Sequence, residues 1–254
     1  MLHKLIFTIL SAALLTCAGA TTSIADLTDG CGDGFGTCDG SGDGGGFGYR
    51  RGYGKGIGDG AMDGSCLAEE LYSIAATDLT TGEIDSLLFL REEEKLARDS
   101  YLVLGELWDL VIFDNIAVAE QKHMDALKKL IDCYRLTDPA LVEVGAFTNQ
   151  DLQTWFDWLM AEGVKSVMDG LYVGTAIEET DIAGLQTAID ETVNIDLLST
   201  YESLVCASRN HLRSFIGLIE INGGSYVPAA LEPEVFWDIA HSEMEQGCGH
   251  NGKK

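Results

Sequence analysis

Four long stretches of the chain repeat their apolar residues every three or four positions, which is the spacing of one face of an α-helix. They cover residues 83–108, 114–134, 176–190 and 195–221, and the whole chain has only three prolines. No alternating strand pattern of any length competes with this periodicity. A long connection, residues 138–174, is itself helical in places. Two helical hairpins joined by one long crossover predict an all-α fold, a four-helix bundle.

Each predicted helix places an ionisable residue on its apolar stripe. The second helix is the clearest case, because Glu120 and His123 lie one turn apart between Ile116 and Leu127. A buried carboxylate without a partner costs several kcal/mol, so something must neutralise it, and a metal ion is one candidate. Carboxylate oxygen and imidazole suit iron or manganese. The candidate ligands are Glu94, Glu120, His123, Glu178, His211 and Asp181, which stands one turn beyond Glu178 and could lean into the same space.

Each of these residues also has an ordinary structural explanation. Glu94 ends a run of three glutamates, and a run of charged residues usually lies on a solvent-exposed face. Helical periodicity does not decide whether Glu93 or Glu94 is the residue that faces the core. His211 alone would be a hydrogen-bonded core histidine, and Glu178 a first-turn acid that stabilises a helix N-terminus. Four helices that all aim such groups inward favour a metal site over coincidence.

Three segments resemble helices of rubrerythrin-type proteins. "EKLARDSY" (94–101) is similar to the first helix, "NIAVAEQKH" (115–123) to the second, and "AIEETD" (176–181) to the third, where two acids three apart serve the metals. Residues 83–220 as a whole look most like the DUF2202 family of ferritin-like domains. The resemblance implies a ferritin-like bundle, and it implies ligand roles for Glu94, Glu120, His123, Glu178 and Asp181.

The fourth helix departs from that pattern. A complete di-iron protein of this type carries Glu-x-x-His there, whereas this chain has Ser208 one turn before His211, so the second bridging carboxylate is missing. Glu202 lies on the wrong side of the helix to replace it. The site could then hold two metals, one or none. Tyr101, on the face of Glu94, is the candidate catalytic residue, which would hydrogen-bond a ligand carboxylate or relay an electron.

Two hypotheses of function remain open. The first is a di-iron carboxylate oxidoreductase, with manganese as the alternative metal, that acts on a small oxidant, O₂ or peroxide, in ferroxidase- or peroxide-type chemistry. The chain has no rubredoxin-like CxxC pair to supply electrons, which argues against a complete peroxidase. The second is a non-enzymatic cell-surface or extracellular scaffold module with a vestigial metal site.

The N-terminus has the pattern of a secretory signal peptide, residues 1–20. Lys4 precedes the apolar run 5–15, and small residues end at Ala20. The alternative is a lipoprotein signal with a lipid anchor at Cys17. We therefore expect a secreted or periplasmic protein, or a cell-surface protein if it is lipidated. No other stretch is apolar and long enough to span a membrane.

The remaining segments divide the chain further. Residues 21–80 are rich in glycine and aspartate and cannot bury enough apolar surface to offset the entropy of ordering, so we predict a disordered, flexible arm. The bundle is expected over residues 81–225, and a short C-terminal helix with a frayed tail over 226–254.

Charge and cysteines add two limits. The formal net charge of −25 argues against nucleic acid as a partner. Six of the seven cysteines follow residue 20. An even number in an exported protein permits disulfides, and Cys133 with Cys206 is one candidate pair, but the sequence does not give the connectivity or the oligomeric state.

Overall fold

The computed structural model describes residues 79–248, so the predicted signal peptide and nearly all of the predicted Gly-rich arm lie outside it. The described residues form six α-helices and no strands. The helices are α1 (Thr81–Trp108), α2 (Val111–Cys133), α3 (Gln150–Gly163), α4 (Val167–Glu191), α5 (Ile195–Ile221) and α6 (Pro233–Ala240). The all-helical prediction is confirmed for this part of the chain.

The four long helices pack as two antiparallel hairpins. α1 lies along α2 and α4 along α5, and further contacts of α1 with α4 and of α2 with α5 join the hairpins into a bundle. The crossover between the hairpins carries α3, which packs on α1 and α4. Residues on the inner faces of all four long helices share one apolar core.

Side-chain caps explain where the helices begin. Thr80 and Glu83 form a capping box at the start of α1, and Asn194 caps α5 as the sequence indicates. The predicted third helix is longer than residues 176–190, because the Ser166 side chain accepts a hydrogen bond from the amide of Asp169 and starts α4 at Val167. The sequence alone placed that turn in the crossover.

The C-terminal segment is not frayed up to residue 248. Cys206 on α5 forms a disulfide with Cys248, with 5.3 Å between the two Cα atoms. The Glu245 carboxylate accepts hydrogen bonds from Arg209 and Arg213 on the same helix. The candidate pair of Cys133 with Cys206 is therefore wrong, and Cys133 belongs to another disulfide. The tail is held because α5 presents a thiol and two guanidinium groups to it.

Among the helices of residues 79–248, none has both the length and the apolar character needed to cross a lipid bilayer.

Candidate metal centre

The three consecutive glutamates of α1 are all buried, each on a different side of the helix. Glu92 accepts hydrogen bonds from the amides of Thr148 and Asn149 just before α3. Glu93 lies against α4, and Glu94 points at the α2 histidine His123. Successive helical residues are about 100° apart, so such a run is buried only if the helix is covered on three sides. α1 meets that condition because it contacts α2, α3 and α4.

Glu120 stands at the centre of two groups of possible metal ligands. One group is Glu94, Glu120 and His123, the other is Glu120, Glu178 and His211, and in each the ligand atoms lie within 4.8 Å of one another. The sequence-predicted ligands from all four long helices are thus brought together. Glu120 is the carboxylate that the two groups share.

The two histidines face this shared carboxylate through the same ring nitrogen. His123 Nδ1 lies 2.7 Å from Glu120 Oε2 and 3.2 Å from Glu94 Oε2. His211 Nδ1 lies 2.9 Å from Glu120 Oε1 and 3.4 Å from Glu178 Oε2. The two rings are 5.7 Å apart between centroids. Each imidazole is therefore directed at a pair of carboxylates.

Several polar atoms of the cluster are buried without a hydrogen-bond partner. They are Glu94 Oε1, Glu120 Oε1, Asp181 Oδ1 and both ring nitrogens of His211. Although Glu120 Oε1 and His211 Nδ1 are close, they are not aligned for a hydrogen bond. Buried polar groups in native proteins are normally paired, so a group of orphaned ligand-type atoms in one place calls for an explanation.

Asp181 lies beside the two groups without belonging to either. It is buried on α4, one turn beyond Glu178, and one of its carboxylate oxygens has no hydrogen-bond partner. Burial raises the pKa of Asp181, and the nearby charges of Glu94, Glu178 and Glu120 raise it further. The charges of carboxylates from both groups act on Asp181, and its predicted role as a metal ligand stays a prediction.

Tyr101 holds one of the candidate ligands in place. Its hydroxyl donates a 2.5 Å hydrogen bond to Glu178 Oε1, and the Gly174 carbonyl is a further acceptor at 3.3 Å. The ring is fully buried against Phe113 and Phe215. The predicted contact with a ligand carboxylate is present, and it is made to the α4 glutamate. The hydrogen bond orients the Glu178 carboxylate, and the predicted catalytic role of Tyr101 stays a prediction.

The electrostatics of the cluster follow from burial and from the crowding of charges. Burial lowers the pKa of His211, but the charges of Glu120 and Glu178 outweigh it and raise the pKa to about 9. Burial likewise opposes the charged form of His123, and Glu120 and Glu94 raise its pKa well above the usual range. The pKa of Glu120 is lowered, because the two imidazoles outweigh its burial.

Glu93 is a buried acid that sequence reasoning did not assign. One of its carboxylate oxygens has no hydrogen-bond partner, and a methyl group placed on Gly184 of α4 would lie 3.1 Å from it. Burial, and then the charge of Asp181, raise the pKa of Glu93 well above its usual range. The sequence feature that could have indicated this burial is Gly184, one turn beyond Asp181. Because Gly184 has no side chain, it leaves room for the Glu93 carboxyl group.

The residues present fit a pair of divalent metal ions. Hard carboxylate oxygens and imidazole nitrogens are the donors that iron and manganese take in proteins. Among residues 79–248, no lysine or arginine pairs with the cluster carboxylates, whose ion pairs are with the two histidines. Two divalent ions would balance the four acids Glu94, Glu120, Glu178 and Asp181.

Comparison with known proteins places the chain in a family. Residues 83–243 match the domain described as "Uncharacterized protein domain (DUF2202)". The uncharacterized protein MJ0754 of Methanocaldococcus jannaschii is 40% identical over 182 residues, which are 71% of this chain and 98% of that protein. The crystal structure of hypothetical protein MJ0754 superposes with a TM-score of 0.66 at 40% identity, covering 68% of this chain and 99% of that one. The chain therefore belongs to the DUF2202 family.

Proposed function

We propose that this protein is an exported ferritin-like protein that binds two iron or manganese ions in the core of its bundle. The observation that carries the proposal is the pair of histidine–carboxylate groups that share Glu120. In ferritin-like di-metal proteins the ligands come from facing helices of a bundle in the same way. Export is supported by the signal-like pattern of residues 1–20.

Each residue of the cluster has a role in this proposal. Glu94, Glu120 and His123 would hold one ion, and Glu120, Glu178 and His211 would hold the other. Iron or manganese bound there supplies one-electron redox chemistry. Tyr101 keeps Glu178 oriented by its hydrogen bond. The surrounding apolar core excludes bulk water from the carboxylates.

The burial of the centre limits its substrates to small molecules. The side chains of Glu94, Glu120, Glu178 and His211 are 1–2% exposed, whereas that of His123 is 10% exposed. A centre this enclosed, most exposed at His123, suits O₂, peroxide or ferrous iron better than a bulky organic substrate. We therefore propose ferroxidase- or peroxide-type chemistry.

A scaffold function without catalysis is the second candidate. Ser208 favours it, because its hydroxyl donates a hydrogen bond to the Leu204 carbonyl and α5 supplies no carboxylate at that position. In that case the inward acids would be a vestigial polar cluster. The metal content of the wild type and of Glu120→Ala separates the two functions.

The test is Glu120→Ala, with metal content, ferrous oxidation rate and free energy of unfolding measured together. A redox centre predicts loss of bound metal and of oxidation while the metal-free fold is retained. A vestigial cluster predicts that the wild type retains no metal and that Glu120→Ala changes neither the metal content nor the rate of ferrous oxidation. The matched control is Glu202→Ala, an exposed glutamate of α5.

A further inference from the structure

Cys133, the last residue of α2, is joined to a cysteine outside residues 79–248. Its sulfur takes part in a disulfide. The described part of the chain contains two other cysteines, Cys206 and Cys248, and these bond to each other. The partner of Cys133 therefore comes from the N-terminal segment of the chain or from a second copy.

α2 ends at the end of the bundle where the described chain begins. Tyr134, next to Cys133, donates a 3.2 Å hydrogen bond to the side chain of Asn194. Glu83, in the first turn of α1, accepts a 2.7 Å hydrogen bond from the hydroxyl of Thr192. Thr192 and Asn194 belong to the same connection between α4 and α5. Cys133 thus lies at the end of the bundle where the N-terminal segment joins α1.

The spacing of the cysteines favours Cys66 as the partner. Of the cysteines that precede the bundle it is the nearest in sequence, and residues 67–78 can span up to about 40 Å when extended. Cys31 and Cys38 are then left to pair with each other across a short loop, whose closure costs little chain entropy. All six cysteines after residue 20 are used in this arrangement.

The charges on the two sides of this junction are complementary. Lys129 and Arg135 lie exposed on either side of Cys133, and Asp132 between them pairs with Lys128. Residues 56–78 contain five acidic residues and no lysine or arginine. In a chain with a net charge of −25, the end of α2 can therefore receive this acidic segment with attraction.

We propose that a disulfide between Cys66 and Cys133 fastens the Gly/Asp-rich segment to the end of α2. Its formation takes two protons and two electrons from the two thiols, and an oxidised dithiol of the cell envelope accepts them by thiol–disulfide exchange. The inference rests on the export part of the proposed function, because persistent disulfides are typical of oxidising compartments. It does not require bound metal.

Peptide mapping of the exported chain without reduction identifies the partner. Free thiols are alkylated first, and the denatured protein is then digested with trypsin. Trypsin separates the relevant cysteines onto three peptides, which are residues 130–135 with Cys133, 56–91 with Cys66, and 21–50 with Cys31 and Cys38. We expect residues 130–135 to be linked to 56–91. The link between Cys206 and Cys248 is the internal reference.

Two matched variants add a second readout. Cys66→Ser should lose the link to residues 130–135 and lower the Tm by several degrees, because the disulfide no longer closes a long loop. Cys31→Ser removes a cysteine of the same segment and is the control. It should keep the link between 130–135 and 56–91 and the Tm of the wild type.

Three results in the wild type would overturn the inference. Residues 130–135 could be linked to 21–50, be linked to a second copy of 130–135, or carry an alkylated free thiol while Cys206 and Cys248 stay joined. A Cys66→Ser protein with an unchanged Tm would contradict the proposed tie as well. Failure of export looks different, because the reference pair of Cys206 and Cys248 would then be reduced too.

Discussion

At the scale of single residues, Glu120 determines what the centre can be. It is 1% exposed and touches both histidines, one through each carboxylate oxygen. A lone carboxylate buried this deeply would cost several kcal/mol. Two imidazoles relieve that cost when they are protonated, and two metal ions would relieve it when the imidazoles are neutral. Under the proposed function, metal ions would therefore compete with protons for the cluster.

This competition predicts how metal binding depends on pH. The raised pKa values of His123 and His211 mean that the metal-free centre holds protons near neutral pH, and a metal must displace them. Because the pKa of His211 is higher in the folded protein than in the unfolded chain, protonation of this histidine stabilises the metal-free fold. The stabilisation is fully present below the pKa of the unfolded chain, and it is lost as the pH rises through the folded pKa of about 9. The rise in Tm caused by Mn(II) should therefore be larger at about pH 8 than at about pH 6.

Differential scanning fluorimetry with and without Mn(II) makes that measurement, and Mg(II) at the same concentration controls for nonspecific ionic effects. A Tm gain that does not change with pH would show that no cluster proton is displaced.

At the scale of helices, the sequence predicted which elements form and missed how α1 is covered. Apolar periodicity was sufficient to predict which face of each long helix is buried. On α1, for example, Leu90, Glu94 and Tyr101 recur at helical spacing and are all buried. It could not predict that Glu92 and Glu93 are buried as well. Their burial depends on the crossover amides before α3 and on Gly184 of α4, which are distant in sequence. Nonlocal contacts of this kind leave no periodic signal in the chain.

Two glycines on facing helices give a paired test of how closely α4 and α5 pack. A Cβ added at Gly174 of α4 would lie 2.5 Å from the Phe215 ring, whereas one added at Gly217 of α5 would meet nothing within 4 Å. Gly174→Ala should therefore destabilise the protein by about 1–3 kcal/mol through overpacking. Gly217→Ala should stabilise it by roughly 0.5–1 kcal/mol, because alanine favours a helix interior.

Urea denaturation of the metal-free variants measures both changes. Equal effects of the two substitutions would contradict the close approach of α4 to the Phe215 ring, which also positions the Gly174 carbonyl beside Tyr101.

At the scale of the whole molecule, the C-terminal segment ties down the outer side of α5. The disulfide of Cys206 and Cys248 spans 42 residues, and Glu245 between α6 and Cys248 pairs with Arg209 and Arg213. The sequence has six cysteines after residue 20 but could not pair them, because pairing depends on how the chain returns after α6. The fold thus holds α5, and with it His211, from both the core side and the tail side.

Loss of this covalent tie should lower stability without removing the metal ligands. Closing a loop of this length contributes up to about 4 kcal/mol in the chain-entropy treatment, and measured values run lower. We expect Cys248→Ser to lower the free energy of unfolding by about 2–4 kcal/mol while metal content stays unchanged. Denaturation measures the free energy of unfolding, and elemental analysis of the same variant measures its metal content. An unchanged free energy would mean that the pair does not constrain the chain.

The measurement that tests the central claim most directly is the metal content of the wild-type chain after aerobic loading with Fe(II) and removal of loosely bound ions. His123→Ala removes a candidate ligand, and His241→Ala is the control, since that histidine is exposed and pairs with Glu220. The account predicts about two irons per chain in the wild type and in His241→Ala, and a clear loss in His123→Ala. A wild-type chain that retains neither iron nor manganese would contradict it.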